Sequence, residues 1–260
     1  MTFKTQNKRR EYLAFAKLRD SMLEKSLQYG YCKYNLNLRS LLNWHRYEKI
    51  VEDVLTTSSQ GFTLDVGCGF GQITEMLHLK RMRVMGIDIG GEVRENKVWK
   101  HLNAPFVLGD GCNLPVKSET FDVVVCCGVL EHAYDKRRFL KECYRVTKSN
   151  GLFLCYFLPN KTGLESLLSR IISTEHIFYE GSSIESLFNE CGWKVFAAKR
   201  EHIMPSFYVH NGLQNLANKL DKIIFMLDDM LSETPLRFFG TNWKVYARKA
   251  SPSSSFAHCP

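Results

Sequence analysis

From residue 62 onward, short apolar runs alternate with stretches of helical periodicity, a pattern that predicts βαβ units and a parallel sheet. Strands read at about 62–66, 83–88, 105–108, 121–127 and 151–157, with helices at about 71–79, 91–101 and 135–146 between them. The longest apolar run, Val123 to Leu130, is closed by Asp122 and Glu131 and suits a central strand. After Pro159 the alternation loosens. Residues 163–190 read as helices around a loop at Ser173–Gly181, followed by a strand at about 193–200, a helical stretch from 211 to 231 and a last strand at about 241–248. Ahead of the alternating region, residues 11–29 and 38–55 look helical, separated by Gly30 and the Tyr/Asn-rich 31–37. In the second helix Tyr47, Ile50, Val51, Val54 and Leu55 fall at i, i+3, i+4, i+7 and i+8, one apolar face.

This pattern divides the 260 residues into a helical N-terminal arm or cap (1–57), a main α/β domain (58–250) and a Ser- and Pro-containing tail (251–260) expected to be disordered. The segment 159–192 reads as an insert capping a substrate site. No run approaches the roughly 18 apolar residues of a membrane span. The polar, basic first residues argue against a secretory signal. Nine cysteines are scattered, with no C-x-x-C pair and no histidine at zinc spacing, so no metal site is expected. In apolar strand contexts a reduced cysteine is a small hydrophobe, which suits a cytoplasmic protein. The net charge of +8 is uneven: residues 1–49 hold 11 Lys/Arg against 4 Asp/Glu, and the remainder is nearly balanced, 24 against 23. The basic arm is either a solvated helical face or a surface that attracts an acidic substrate, a nucleic acid or an anionic surface.

The chemistry concentrates in Leu64-Asp65-Val66-Gly67-Cys68-Gly69-Phe70-Gly71, a strand running into three glycines and then a helix from Gln72. Glycine lets the backbone take positive φ and lets a ligand approach the main chain closely. The free N–H groups at the start of the following helix point at the same spot, where a carboxylate or phosphate is stabilised. A nucleotide-like cofactor is expected there. Asp88 ends the second strand, 21 residues after Gly67, where nucleotide-binding α/β folds place an acid for ribose hydroxyls. Asp110 closes the third strand in Gly109-Asp110-Gly111-Cys112-Asn113-Leu114-Pro115, and the fourth leads through Cys127 and Val129 to Leu130-Glu131-His132. A dehydrogenase fingerprint would want glycine where Gln72 stands, and it gives no account of the Asp110–Pro115 block.

In these elements, densely over residues 62–158, the sequence resembles the class I S-adenosylmethionine-dependent methyltransferases, closest to the branch that modifies quinones, lipids, sugars and natural products. The resemblance implies a Rossmann-like, seven-stranded, mostly parallel sheet with helices capping the active site. It also implies roles. Asp65, Gly67, Gly69 and Gly71 would hold the methionine part of S-adenosylmethionine, with Cys68 and Gln72 of the same motif also cofactor-binding, and Asp88 its ribose. Ile89 would pack on the adenine, and Asp110, Gly111 and Cys112 would face its amino group. Cys127 and Val129 would lie under the cofactor, and His132 near the methyl as the catalytic candidate. Tyr134, His176, Tyr179 and His210 are further candidate bases. Tyr31, Tyr34, Arg39 and Arg46 belong to an arm that commonly folds over the cofactor in this family. Ser149-Asn150-Gly151 stands where the family has Pro-Gly-Gly before the fifth strand and keeps the final glycine.

No Asn/Asp-Pro-Pro-Tyr follows strand four, so oxygen or carbon acceptors are favoured over base nitrogens, and nucleic acid is not the expected partner. The apolar insert residues Leu164, Leu167, Leu168, Ile171, Ile172, Ile177 and Phe178 suit a hydrophobic small molecule, or simply a core. Two other functions stay open. One is an RNA or protein methyltransferase using the basic arm, and the other is a non-catalytic cofactor-binding module.

Overall fold

The computed structural model describes residues 38–58, 61–90, 98–163, 181–203 and 220–250. The expected helix at 11–29, most of the one at 91–101, much of the insert, the first half of the 211–231 stretch and the tail lie outside the described residues. The chain orders as α1 (Leu38–Thr57), β1 (Phe62–Val66), α2 (Gln72–Leu79), β2 (Arg83–Asp88), β3 (Phe106–Leu108), β4 (Phe121–Cys127), α3 (Lys136–Val146), β5 (Thr147–Pro159), α4 (Gly181–Glu190), β6 (Trp193–Glu201), α5 (Asp221–Ser232) and β7 (Asn242–Lys249). Short 3-10 turns stand at Val98–His101, Leu130–His132 and Pro235–Phe239. Among the described residues no helix is long and apolar enough to cross a membrane.

The seven strands form one sheet in the order β3-β2-β1-β4-β5-β7-β6. Pairing is parallel from β3 through β5, while β7 runs antiparallel to both β5 and β6. The parallel half is what the alternation predicts, and the whole is the Rossmann-like, seven-stranded, mostly parallel sheet that the resemblance implies. Progress along the sheet reverses between β1 and β4, and in open α/β sheets the crevice beyond the strand ends at such a point is where ligands bind.

Successive residues of β4 face opposite sides of the sheet and so build two cores. Val124 and Cys126 join Leu64, Val66, Phe153 and Cys155 under Phe139, Leu140 and Cys143 of α3 and Ile184 and Phe188 of α4. Val123 and Val125 join Leu154 and Tyr156 under Ile50, Val51 and Val54 of α1 and Ile73, Met76 and Leu77 of α2. The apolar face read in α1 is thus the face that is buried.

Helix α3 does more than cover the sheet. Asp135 caps it by accepting the Arg138 N–H at 2.9 Å. Its outer side then braces the segment after β3: Arg138 donates to the Cys112 carbonyl, Arg145 to the carbonyls of Leu114 and Val116, and Glu142 accepts from the Leu114 N–H.

Two boundaries differ from expectation. Strand β5 begins at Thr147, not 151, because Thr147 already pairs with Phe121, and a bulge absorbs the residues up to the Leu152–Val123 pair. Asn150 sits inside that bulge at φ +63°, a left-handed conformation that asparagine tolerates. Strand β3 stops at Leu108, so Asp110 lies beyond its end, held in a single bridge with Asn113.

Candidate active site

Beyond the carboxyl ends of β1, β2 and β4 lies a cleft of two lobes that meet at Gly67, Asp88 and Val129. One lobe, of about 170 Å³, is walled by Ile89, Asp110, Gly111, Cys112, His132, Tyr134 and neighbours. The other, of about 320 Å³, is walled by Tyr47, Asp65, Cys68, Gly69, Phe70, Gln72, Cys127 and Gly128, among others. The positions assigned to the cofactor in sequence, together with His132 and Tyr134, therefore converge on one cleft, except Gly71.

The glycine turn explains itself sterically. Gly67, Gly69 and Gly71 all have positive φ, at 72°, 52° and 86°. At Gly67 a Cβ would stand 2.2 Å from the Val129 side chain, so Val129 packs directly on the bare backbone. At Gly69 nothing lies within 4 Å of that position, which leaves the main chain open to the cleft. Gly71 is the residue before α2 and faces away, against Phe106 and Leu102.

The acids at the strand ends are held in different ways. Asp65 is fully buried beneath the turn and accepts the Thr74 hydroxyl at 2.6 Å. Burial pushes its carboxyl up to about 6, with the Thr74 hydrogen bond opposing and the Asp88 charge adding to the rise. Asp88 accepts the N–H of Gly69 at 2.9 Å on one oxygen and that of Gly90 at 3.0 Å on the other, at the junction of the lobes. Asp110 accepts the Cys112 N–H at 2.8 Å and the Tyr134 hydroxyl at 3.2 Å. Ile89 is 72 % exposed, an apolar side chain laid on the cleft wall between these acids.

Strand β4 ends at Cys127, whose buried thiol is pushed well up by desolvation. Gly128 follows at φ +65° and opens the turn that carries Glu131 and His132. The two side chains part there. His132 is 72 % exposed and stands on the wall of the Ile89 lobe. Glu131 is only 12 % exposed and turns back toward Gly128.

Sequence reading missed three contributors. Tyr47, assigned to the apolar face of α1, also lines the larger lobe. Trp99 donates its indole N–H to the Gly69 carbonyl at 2.9 Å while stacking on Phe106, which pins the outer side of the turn. Glu75, buried in α2, accepts from the N–H groups of Asn103 and Ala104 and fixes the entry to β3. Of the candidates in the arm, Arg46 does not face the cleft; its guanidinium is buried 3.5 Å from Asp228 of α5. Tyr31, Tyr34, His176, Tyr179 and His210 lie outside the described residues.

Residues 64–155 match the family model described as a methyltransferase domain. Among curated relatives, the chain is 27 % identical over 134 residues to a ubiquinone biosynthesis O-methyltransferase of Coxiella burnetii, covering 50 % of this chain and 56 % of that one. It is 29 % identical over 138 residues to a demethylmenaquinone methyltransferase of Thermotoga maritima, covering 50 % and 59 %. The chain thus spans little more than half the length of these relatives. Among solved structures, a SAM-dependent methyltransferase of Thermotoga maritima superposes with a TM-score of 0.57 at 15 % identity, over 81 % of this chain and 92 % of that one. Another, from Archaeoglobus fulgidus, gives 0.54 at 19 % identity, over 78 % and 94 %.

Proposed function

We propose that this chain, which belongs through residues 64–155 to the class I S-adenosylmethionine-dependent methyltransferases, moves a methyl group onto a small-molecule acceptor at oxygen or carbon. One observation carries the reading: a single carboxylate, Asp88, sits where an apolar lobe and a polar lobe meet. S-adenosylmethionine has that same division, a flat base on one side, an amino acid on the other and a ribose between them.

The residues present fit that division. Ile89 offers an apolar face for the base, and Asp110 stands beside it as a hydrogen-bond acceptor. Asp88 is placed to accept from ribose hydroxyls. The open backbone at Gly69, with Asp65, Gln72 and Tyr47 around it, receives the amino-acid end. When bound, the cofactor supplies a methyl carried on a sulfonium, already an excellent leaving group.

What remains for the protein is alignment and exclusion of water, a contribution of roughly 7–11 kcal/mol where reacting atoms are held in line. Val129, packed on Gly67, forms the floor against which the cofactor is held. His132 is proposed to serve the reaction's proton from the cleft wall. The names of two curated relatives, a ubiquinone biosynthesis O-methyltransferase and a demethylmenaquinone methyltransferase, support a quinone-like acceptor, with oxygen as the first atom to test.

Calorimetry with S-adenosylhomocysteine tests the cofactor assignment, and methyl transfer from labelled cofactor to small-molecule extracts, read by mass, tests the acceptor class. Absence of cofactor binding would overturn the reading. His132→Ala is expected to lower turnover more than cofactor affinity, and wild-type turnover in that variant would leave His132 a structural residue.

A further inference from the structure

The carboxyl of Glu131 stands apart from the other acids of the cleft. Asp65, Asp88 and Asp110 each accept at least one hydrogen bond. Glu131 is nearly as enclosed, yet its Oε2 is buried and has no hydrogen-bond partner. A buried acceptor left unsatisfied is destabilising, so each one in a native fold asks for an explanation.

Its surroundings supply one. The other oxygen, Oε1, lies 3.8 Å from the point where a side chain would begin at Gly128, and Gly128 lines the larger lobe. The same point is 4.0 Å from Phe157, a non-glycine residue held at φ +60° beside a bulge in β5. Backbone held in this region costs stability and gathers at functional sites. Oε1 is also 3.9 Å from Nε2 of His132, whose ring reaches solvent on the other side of the turn. The carboxyl therefore lies between the Gly128 edge of the larger lobe, beside the end of the cofactor next to its sulfonium in the reading above, and an exposed imidazole.

From this geometry, and resting on the methyltransferase reading above, we infer that Glu131 takes the proton of a phenolic hydroxyl on the acceptor and passes it through His132 to solvent. The balance is simple. The acceptor O–H bond breaks and its proton goes to Glu131. The oxygen gains the methyl as the methyl–sulfur bond of the sulfonium breaks, its electron pair staying on sulfur as a neutral thioether. The proton leaves by way of the imidazole to water.

The electrostatics agree. Burial pushes the Glu131 carboxyl up to about 7, opposed by its own backbone N–H and by Lys136 at the start of α3. The groups around it are the thiols of Cys127 in β4 and Cys155 in β5, with His132 alongside. A carboxylate of that basicity sits about three units below a phenol, near enough to relieve it of a proton as the new bond forms, whereas a carboxylate at its ordinary value is too weak a base.

The test uses the full chain with catechol as probe acceptor. Glu131→Gln keeps shape and removes the base. It is expected to lower kcat about 100-fold or more, to abolish the rise of kcat through pH 7, and to leave S-adenosylhomocysteine affinity within about twofold. His132→Ala is expected to lose about tenfold in kcat and to recover on addition of imidazole. In the wild type, the Glu131 carboxyl carbon resonance is expected to titrate near 7. A Glu131→Gln kcat within threefold of wild type, a carboxyl that titrates near 4.5, or a failure of imidazole to rescue His132→Ala each overturns the relay. No turnover of catechol by a wild type that binds S-adenosylhomocysteine overturns the phenol assignment alone. A wild type that fails to bind S-adenosylhomocysteine overturns the methyltransferase reading and this inference with it.

Discussion

Asp88 holds two backbone N–H groups, those of Gly69 and Gly90, with the same carboxylate that faces the cleft. Replacing it with alanine therefore removes the proposed ribose contact and loosens the turn together. Asp88→Ala is expected to weaken cofactor binding by about 1.5–3 kcal/mol, the value of a hydrogen bond to a charged group; an unchanged calorimetric affinity would remove the ribose assignment. Asp65 behaves differently because its carboxyl is raised from 3.8 to about 6 by burial. The folded protein holds that proton more tightly than the unfolded chain, so the group's contribution to stability is full below about 3.8 and is lost as pH rises through 6. Asp65→Asn has no such loss. Its stability relative to wild type should rise by roughly 1 kcal/mol between pH 5 and pH 8 in urea unfolding, and parallel curves would show that Asp65 is not raised. At this scale the acids and glycines were legible, since strand ends and positive φ leave marks in sequence. Trp99 was not, because its role depends on the Gly69 carbonyl, a backbone group 30 positions away. The distinction between Glu131 and His132 was not legible either, because only the turn at Gly128 sends one side chain inward and the other out.

Among elements, α3 is the one whose periodicity says least about what it does. Its apolar stripe predicts burial against the sheet, and that is what Phe139, Leu140, Cys143 and Val146 do. Its polar stripe would pass for a solvated face, yet Arg138, Glu142 and Arg145 splint residues 112–116 and so set the wall of the Ile89 lobe. The Arg145 guanidinium also holds the Glu142 carboxyl below its ordinary range. Arg145→Ala leaves the Leu114 and Val116 carbonyls without their donor. It should cost about 1–3 kcal/mol in thermal or urea unfolding and weaken cofactor binding in parallel. Loss of stability with unaltered affinity would separate the splint from the lobe. Strand positions were read well where alternate or continuous apolar runs were long, as in β4. They were read poorly at the start of β5, where pairing with Phe121 recruits the polar residues Lys148–Asn150 into a bulge.

For the whole molecule, strand order is the property sequence periodicity conveys least, since seven strands can be arranged in many ways. Here the resemblance around Gly67–Gly71, Asp88 and Asp110 implied a Rossmann-like, seven-stranded, mostly parallel sheet, and the switch between β1 and β4 in the observed order accounts for why those residues meet. Charge also belongs to this scale. The excess of Lys/Arg over Asp/Glu in residues 1–49 is the feature that favours a polyanionic substrate. A small-molecule enzyme should bind RNA only weakly, by fluorescence anisotropy, at physiological salt. Tight binding that falls steeply between about 50 and 200 mM salt, together with methyl transfer to RNA, would replace the small-molecule reading.

The placement of β7 has a consequence for how the protein is made. Strands β5 and β6 are synthesised first, and the strand hydrogen-bonded between them is β7, the last of the described strands in the chain. Until the ribosome has delivered Asn242–Lys249, both neighbours present bare edges, a template for association with other nascent chains. A premature stop before Asn242 would therefore trim more than a border: it would leave the half of the sheet that carries the cleft without its closing seam.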